Sequence, residues 1–139
     1  MTVETPPIWQ LALAVGAGGS LGAVGRFALA VALRPSDPMA MPWGTLAANL
    51  VGCLAIGLAM GWIERSSIDP VLATGLTTGF LGGFTTFATF GFETTRLLRG
   101  GQTTLALTYV AISLVAGLAL VVAGQWLAGQ WLAGTGAAA

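Results

Sequence analysis

The hydrophobic pattern of this chain is one of long apolar runs cut by short polar breaks, with no sustained alternation of the kind a half-buried strand shows. The first run covers residues 8–33 and stops at Arg34-Pro35-Ser36-Asp37-Pro38, a sequence no helix continues through. The second covers 43–63 and stops at Glu64-Arg65-Ser66-Ser67. The third covers 71–92, with 93–102 as the next polar connection, and the fourth covers 104–127. Each is close to the ~20 residues a helix needs to cross ~30 Å of hydrocarbon. Trp9, Trp43, Trp62 and Trp126 stand near segment ends, where interfacial aromatics belong. The pattern therefore predicts an all-α integral membrane protein, one domain over 1–139 with four transmembrane helices. Residues 128–139 read as a low-complexity tail, although Gly-Gln-Trp-Leu-Ala occurs twice, at 124–128 and 129–133.

Within the runs, small and polar residues mark where helices meet. Gly18 and Gly22, and again Gly57 and Gly61, have the small-xxx-small spacing that lets helix backbones approach closely. Arg26 lies about two turns before the first break, so its guanidinium must snorkel, pair or face a water-filled space. Thr45 and Asn49 are four apart on one helix face, and Asn49 is either interhelical glue or part of a permeation path. Tyr109 and Ser113 share a face of the fourth helix, which Gly117 continues without a side chain.

The third run holds the least helix-like stretch, Gly79-Phe80-Leu81-Gly82-Gly83-Phe84-Thr85-Thr86-Phe87-Ala88-Thr89-Phe90. As one unbroken helix it would set Phe80, Phe84, Phe87 and Phe90 within a 120° arc, at 100° per residue, with the threonines opposite and bonded back to their own carbonyls. Alternatively the helix breaks near Gly82-Gly83 and Thr85-Thr86, freeing carbonyls that need a partner such as a cation. Phenylalanine rings present a positive edge, so Phe87 and Phe90 can meet an anion edge-on.

Composition narrows the function classes. The chain is 55% hydrophobic and 7% charged, with mean hydropathy +0.85, whereas soluble domains carry about a quarter charged residues. Net charge is zero, so a nucleic-acid footprint is missing. One cysteine, Cys53, and no histidine exclude an intrachain disulfide framework, a Cys/His metal site and histidine-based hydrolases, and no enzyme is expected. No basic n-region precedes Ile8, so the first run is read as a retained span. Arg34, Arg96 and Arg99 fall on one side of a four-span topology and Arg65 on the other, a bias too small to exclude insertion both ways. Two rival readings are a small four-helix multidrug exporter and a non-conducting assembly subunit. The first needs a membrane-embedded carboxylate, and Glu4, Asp37, Glu64, Asp69 and Glu93 all lie at or outside segment ends. The second explains the glycines and leaves Asn49 and the Phe-Thr stretch without a purpose.

Taken together, Gly18-Gly19-Ser20-Leu21-Gly22-Ala23-Val24-Gly25-Arg26, Gly44-Thr45-Leu46-Ala47-Ala48-Asn49 and Gly82 through Phe90 resemble the Fluc (CrcB) fluoride channel family. The resemblance implies a dual-topology antiparallel homodimer in a prokaryotic inner membrane, with two fluoride pores and a structural Na+ at the dimer centre, beside a broken third helix. Position by position it makes Phe87 and Phe90 the pore aromatics and Asn49 a pore-lining amide. Thr45, Thr89, Tyr109 and Ser113 become a polar track, and Arg26 and Glu93 stand at the vestibules. The carbonyls of Gly82 and Thr85 become sodium ligands. Ala88 replaces a usual serine, Gly117 an occasional one and Phe27 a common tyrosine. The implied function is passive fluoride export. Fluoride is small and strongly hydrated, so hydroxyls, an amide and ring edges must replace its shell. A lysine-free pore leaves it weakly enough held to exit.

Overall fold

The computed structural model describes residues 5–134 and is all-helical there. Helix α1 spans Ile8–Ala32 and α2 spans Trp43–Ile63. A third span follows in pieces: α3 Pro70–Thr74, a π-helical stretch Gly75–Leu81, α4 Gly82–Phe84 and α5 Phe87–Arg99. Helix α6, Thr103–Gly134, closes the chain. Four spans, with Pro70–Arg99 taken as one, are long and apolar enough to cross a membrane.

Local chemistry explains the boundaries. Asp69 caps α3, its Oδ1 accepting from the N–H groups of Val71 at 2.9 Å and Leu72 at 3.0 Å, with Pro70 in the first turn where its missing N–H is harmless. The third span outruns the expected end at 92 and stays helical to Arg99. Leu97, fully buried, anchors these roughly two extra turns, and Arg96 and Arg99 suit the negative end of the helix. The turn that stops it needs Gly101, at φ +76°, a backbone state side chains resist.

The fourth helix also runs on, past 127 to Gly134, so residues 128–134 are helix and not tail; 135–139 lie outside the described residues. The reason is a packing stripe. Gly124, Ala128 and Leu132 follow one another at four-residue spacing and all are buried.

Glycine sets how closely the rods approach. Helix α1 lies on the π-helical stretch with bare backbone at Gly18 and Gly22. A methyl on Gly22 would collide with the Phe80 carbonyl oxygen and come within 2.8 Å of the Phe84 nitrogen. Gly57 and Gly61 do the same for α2 on α6: a methyl on Gly61 would lie 2.8 Å from the Ala128 Cβ. Both small-residue spacings thus act as backbone contacts. A side-chain core of Met41, Leu46, Phe90, Leu97, Ala106 and Tyr109 joins α2, α5 and α6.

Candidate functional site

The site forms where the third span loses its helix. Thr85 (φ −90°, ψ 157°) and Thr86 (φ −152°, ψ 121°) are extended between α4 and α5. Gly82 and Gly83 themselves remain helical, and the turn-forming residues are the threonines. Backbone groups left without helical partners must find others. Asn49 takes both groups of one peptide residue: the Thr86 N–H donates to its Oδ1 at 2.8 Å and its Nδ2 donates to the Thr86 carbonyl at 3.1 Å. Thr86 then starts α5 as a cap, its hydroxyl accepting from the Thr89 N–H at 3.3 Å and donating to the Thr89 hydroxyl at 3.1 Å. Arg26 donates from Nε to the Gly83 carbonyl at 3.1 Å, which ties this side chain to the end of α4. Among the described residues the carbonyls of Gly82 and Thr85 receive no hydrogen bond, and both residues line an open cavity of about 380 Å³ with Asn49, Thr77, Thr86 and Phe87.

The break also divides the phenylalanines. Phe80 and Phe84 stack at 5.9 Å upstream of it. Phe87, Phe90 and Tyr109 form a tilted chain downstream, with centroids 5.7 Å and 5.1 Å apart. A single stripe of four rings is therefore replaced by two separate pairs, the second extended by Tyr109. Phe87 is 81% exposed on the isolated chain, whereas Phe90 and Tyr109 are buried.

Glu93, three residues beyond Phe90, is a junction and not a freely solvated charge. Its Oε1 accepts from the Thr45 hydroxyl at 3.0 Å and its Oε2 from the Tyr109 hydroxyl at 2.9 Å. One turn further along α6, the Ser113 hydroxyl is buried without a hydrogen-bond partner. Thr77 and Thr85 bond back to the carbonyls of Ala73 and Leu81, as the plain packing reading has it, while Thr86 and Thr89 do not. Ala88 is exposed, and Gly117 is buried with room for a methyl only 3.3 Å from the Cys53 Sγ.

The structure thus gathers Thr45, Glu93, Tyr109, Phe90 and Phe87 along one path, and Asn49, Thr86 and Thr89 at the break. Arg26 stands apart, on the α1 side. The sequence reading missed the convergence of Arg34 and Arg96 on the Thr45–Glu93 cavity, and the shared side assigned to loops 34–42 and 93–103 was the signal that could have found it.

Residues 13–125 match the family model described as CrcB-like protein, Camphor Resistance (CrcB). Curated relatives named "Fluoride-specific ion channel FluC" include those of Escherichia coli O17:K52:H18 (strain UMN026 / ExPEC) and O139:H28 (strain E24377A / ETEC). Each is 44% identical over 119 residues, spanning 85% of this chain and 93% of the relative. The family model covers most of the chain and these relatives are 44% identical to it over 119 residues, so the chain belongs to the CrcB family of fluoride channels.

Proposed function

We propose that this multi-pass protein of a bacterial membrane is a fluoride-selective channel that lets fluoride leave the cytoplasm passively, and that it works as an antiparallel homodimer. The carrying observation is the 44% identity to fluoride-specific channels across 93% of their length. Ion channels are not a class of enzymes.

The chemistry of the path supports the reading. A dehydrated fluoride needs short, strong donors. Ser113 offers a buried hydroxyl with no competing acceptor. The Tyr109 and Thr45 hydroxyls donate their single protons to Glu93 and so order the polar path beside Ser113. The Phe87 and Phe90 rings present positive edges beside them. None of these groups carries a permanent positive charge, so an anion is stabilised without being trapped. The threonine cap and the Asn49 clamp fix the ring-bearing end of α5 to α2.

Dimerisation is supported by what one chain leaves uncovered. Phe87 is exposed, and the cavity beside Asn49 opens at the surface. A second copy laid over this face gives each pore a second wall. The Gly82 and Thr85 carbonyls, hard oxygen donors with no hydrogen-bond partner among the described residues, are the groups that would hold a sodium ion. The ion would supply positive charge to the carbonyl dipoles at the break, with Thr85 and Gly82 setting the donor positions.

The test is purified protein in potassium-loaded liposomes, with fluoride and chloride electrodes read after valinomycin. Fast fluoride efflux and negligible chloride efflux are expected, and absence of fluoride flux from well-folded protein refutes the channel. Removing sodium by dialysis is expected to abolish most activity, and flux indifferent to sodium refutes the cation site.

A further inference from the structure

We propose that Arg96, assisted by Arg34, forms an anion-collecting mouth that offsets the charge of Glu93 at one end of the fluoride path. The proposal rests on the channel reading above. Thr45, Glu93, Arg34 and Arg96 line one cavity of about 380 Å³, built from the end of α1, the α1–α2 loop, the start of α2 and the face of α5. A lone carboxylate there repels an arriving anion. Two guanidinium groups line the cavity against that one carboxylate, and Asp37, between the lining residues Ser36 and Pro38, has its Oδ1 on the Met39 N–H.

The positive charge is not consumed locally. Glu93 gives both oxygens to the Thr45 and Tyr109 hydroxyls. Among the described residues neither Arg34 nor Arg96 makes a salt bridge, although Glu93 and Arg96 are three apart on α5 and share a face. The Arg96 Nε is buried with no hydrogen-bond partner. Burial shields the Nε itself from an arriving ion, and the other guanidinium N–H groups, which make no hydrogen bond among the described residues, are the ones an anion in the cavity would meet. A role at the helix C-terminus alone does not account for this. Exposed Arg99 serves the dipole equally from the same turn, and nothing about the dipole requires burying the Arg96 Nε.

A field of this kind acts on arrival and departure of ions, so it must fade as salt screens it. Fluoride efflux is measured for wild type, R96Q, R96K and R34Q at about 20 mM and about 500 mM ionic strength, set with an impermeant organic salt, where the Debye length falls from roughly 20 Å to roughly 4 Å. R96Q is expected to slow flux about three- to tenfold at low ionic strength and less than about twofold at high. R96K is expected to stay within about twofold of wild type, and R34Q, exposed, to lose less than R96Q.

A loss in R96Q that is equal at both ionic strengths, an R96K as slow as R96Q, or an R96Q that changes size on gel filtration overturns the mouth in favour of packing or assembly. A loss seen only in vesicles containing phosphatidylglycerol assigns the anion to a lipid phosphate and overturns it too. Wild type without flux refutes the channel itself, whereas wild-type flux matched by R96Q refutes the mouth alone.

Discussion

The two halves of the Pro70–Arg99 span are held in opposite ways. Upstream of Thr85, the π-helical stretch and α4 meet α1 through bare backbone, with Gly18, Gly22 and Gly83 in contact where no Cβ fits. Downstream, α5 meets α2 and α6 through side chains: Thr45 and Tyr109 on Glu93, and Phe90 on Tyr109. Backbone contact fixes distance and offers little chemistry. Side-chain contact offers chemistry and tolerates adjustment. The upstream half is held as scaffold, and the downstream half carries the Thr45–Glu93–Tyr109 junction.

That contrast breaks most visibly at a scaffold glycine. G22A drives a methyl into the Phe80 carbonyl and the Phe84 nitrogen, both backbone atoms that cannot swing aside. Loss of nearly all monodisperse protein in detergent is expected, and a normal gel-filtration yield removes the close approach as a requirement. N49A should act next most strongly, because it strands the Thr86 N–H and carbonyl. A loss of about 100-fold in fluoride flux is expected, equivalent to ~2.7 kcal/mol in a barrier. Flux near wild type would detach the clamp from the pore.

F87I tests the downstream half itself. It removes a ring edge from a residue exposed on the isolated chain, so assembly-sized particles with flux slowed about tenfold are expected, and an unchanged rate takes Phe87 out of the path. The smallest effect belongs to G117S. Its Cβ meets only the Cys53 Sγ, at 3.3 Å, and its hydroxyl extends the face of Tyr109 and Ser113. A rate within about threefold of wild type is expected from one weak added donor, and a collapse of yield would show that face to be as intolerant as the scaffold.

Much of this was legible in the chain because membrane helices announce themselves by length and apolarity. The glycine spacings predicted backbone contact, and the Phe-Thr stretch predicted trouble for a helix. What could not be read were the outcomes of competition between partners. Arg26 was open between lipid interface and vestibule, and its Nε bond reaches a carbonyl 57 positions away, a partner that local spacing does not announce. Glu93 lay in a stretch polar enough to look like a loop, yet Leu97 buries one side of it and keeps it helical. Gly82-Gly83 looked like the weak point. The extended pair turned out to be Thr85-Thr86, because Asn49 supplies the very peptide partners that a helix would otherwise provide.

The length of α6 bears on which membranes suit the protein. At 32 residues and 1.5 Å per residue it is about 48 Å long, against ~30 Å of hydrocarbon. Its duplicated Gly-Gln-Trp-Leu-Ala places exposed Trp126 and Trp131 one repeat apart, roughly 7.5 Å along the axis. Each tryptophan is a mooring point at the headgroup level. With two of them on one rod, α6 offers a headgroup-level aromatic at two heights, which widens the range of bilayer thickness over which one of them meets the interface.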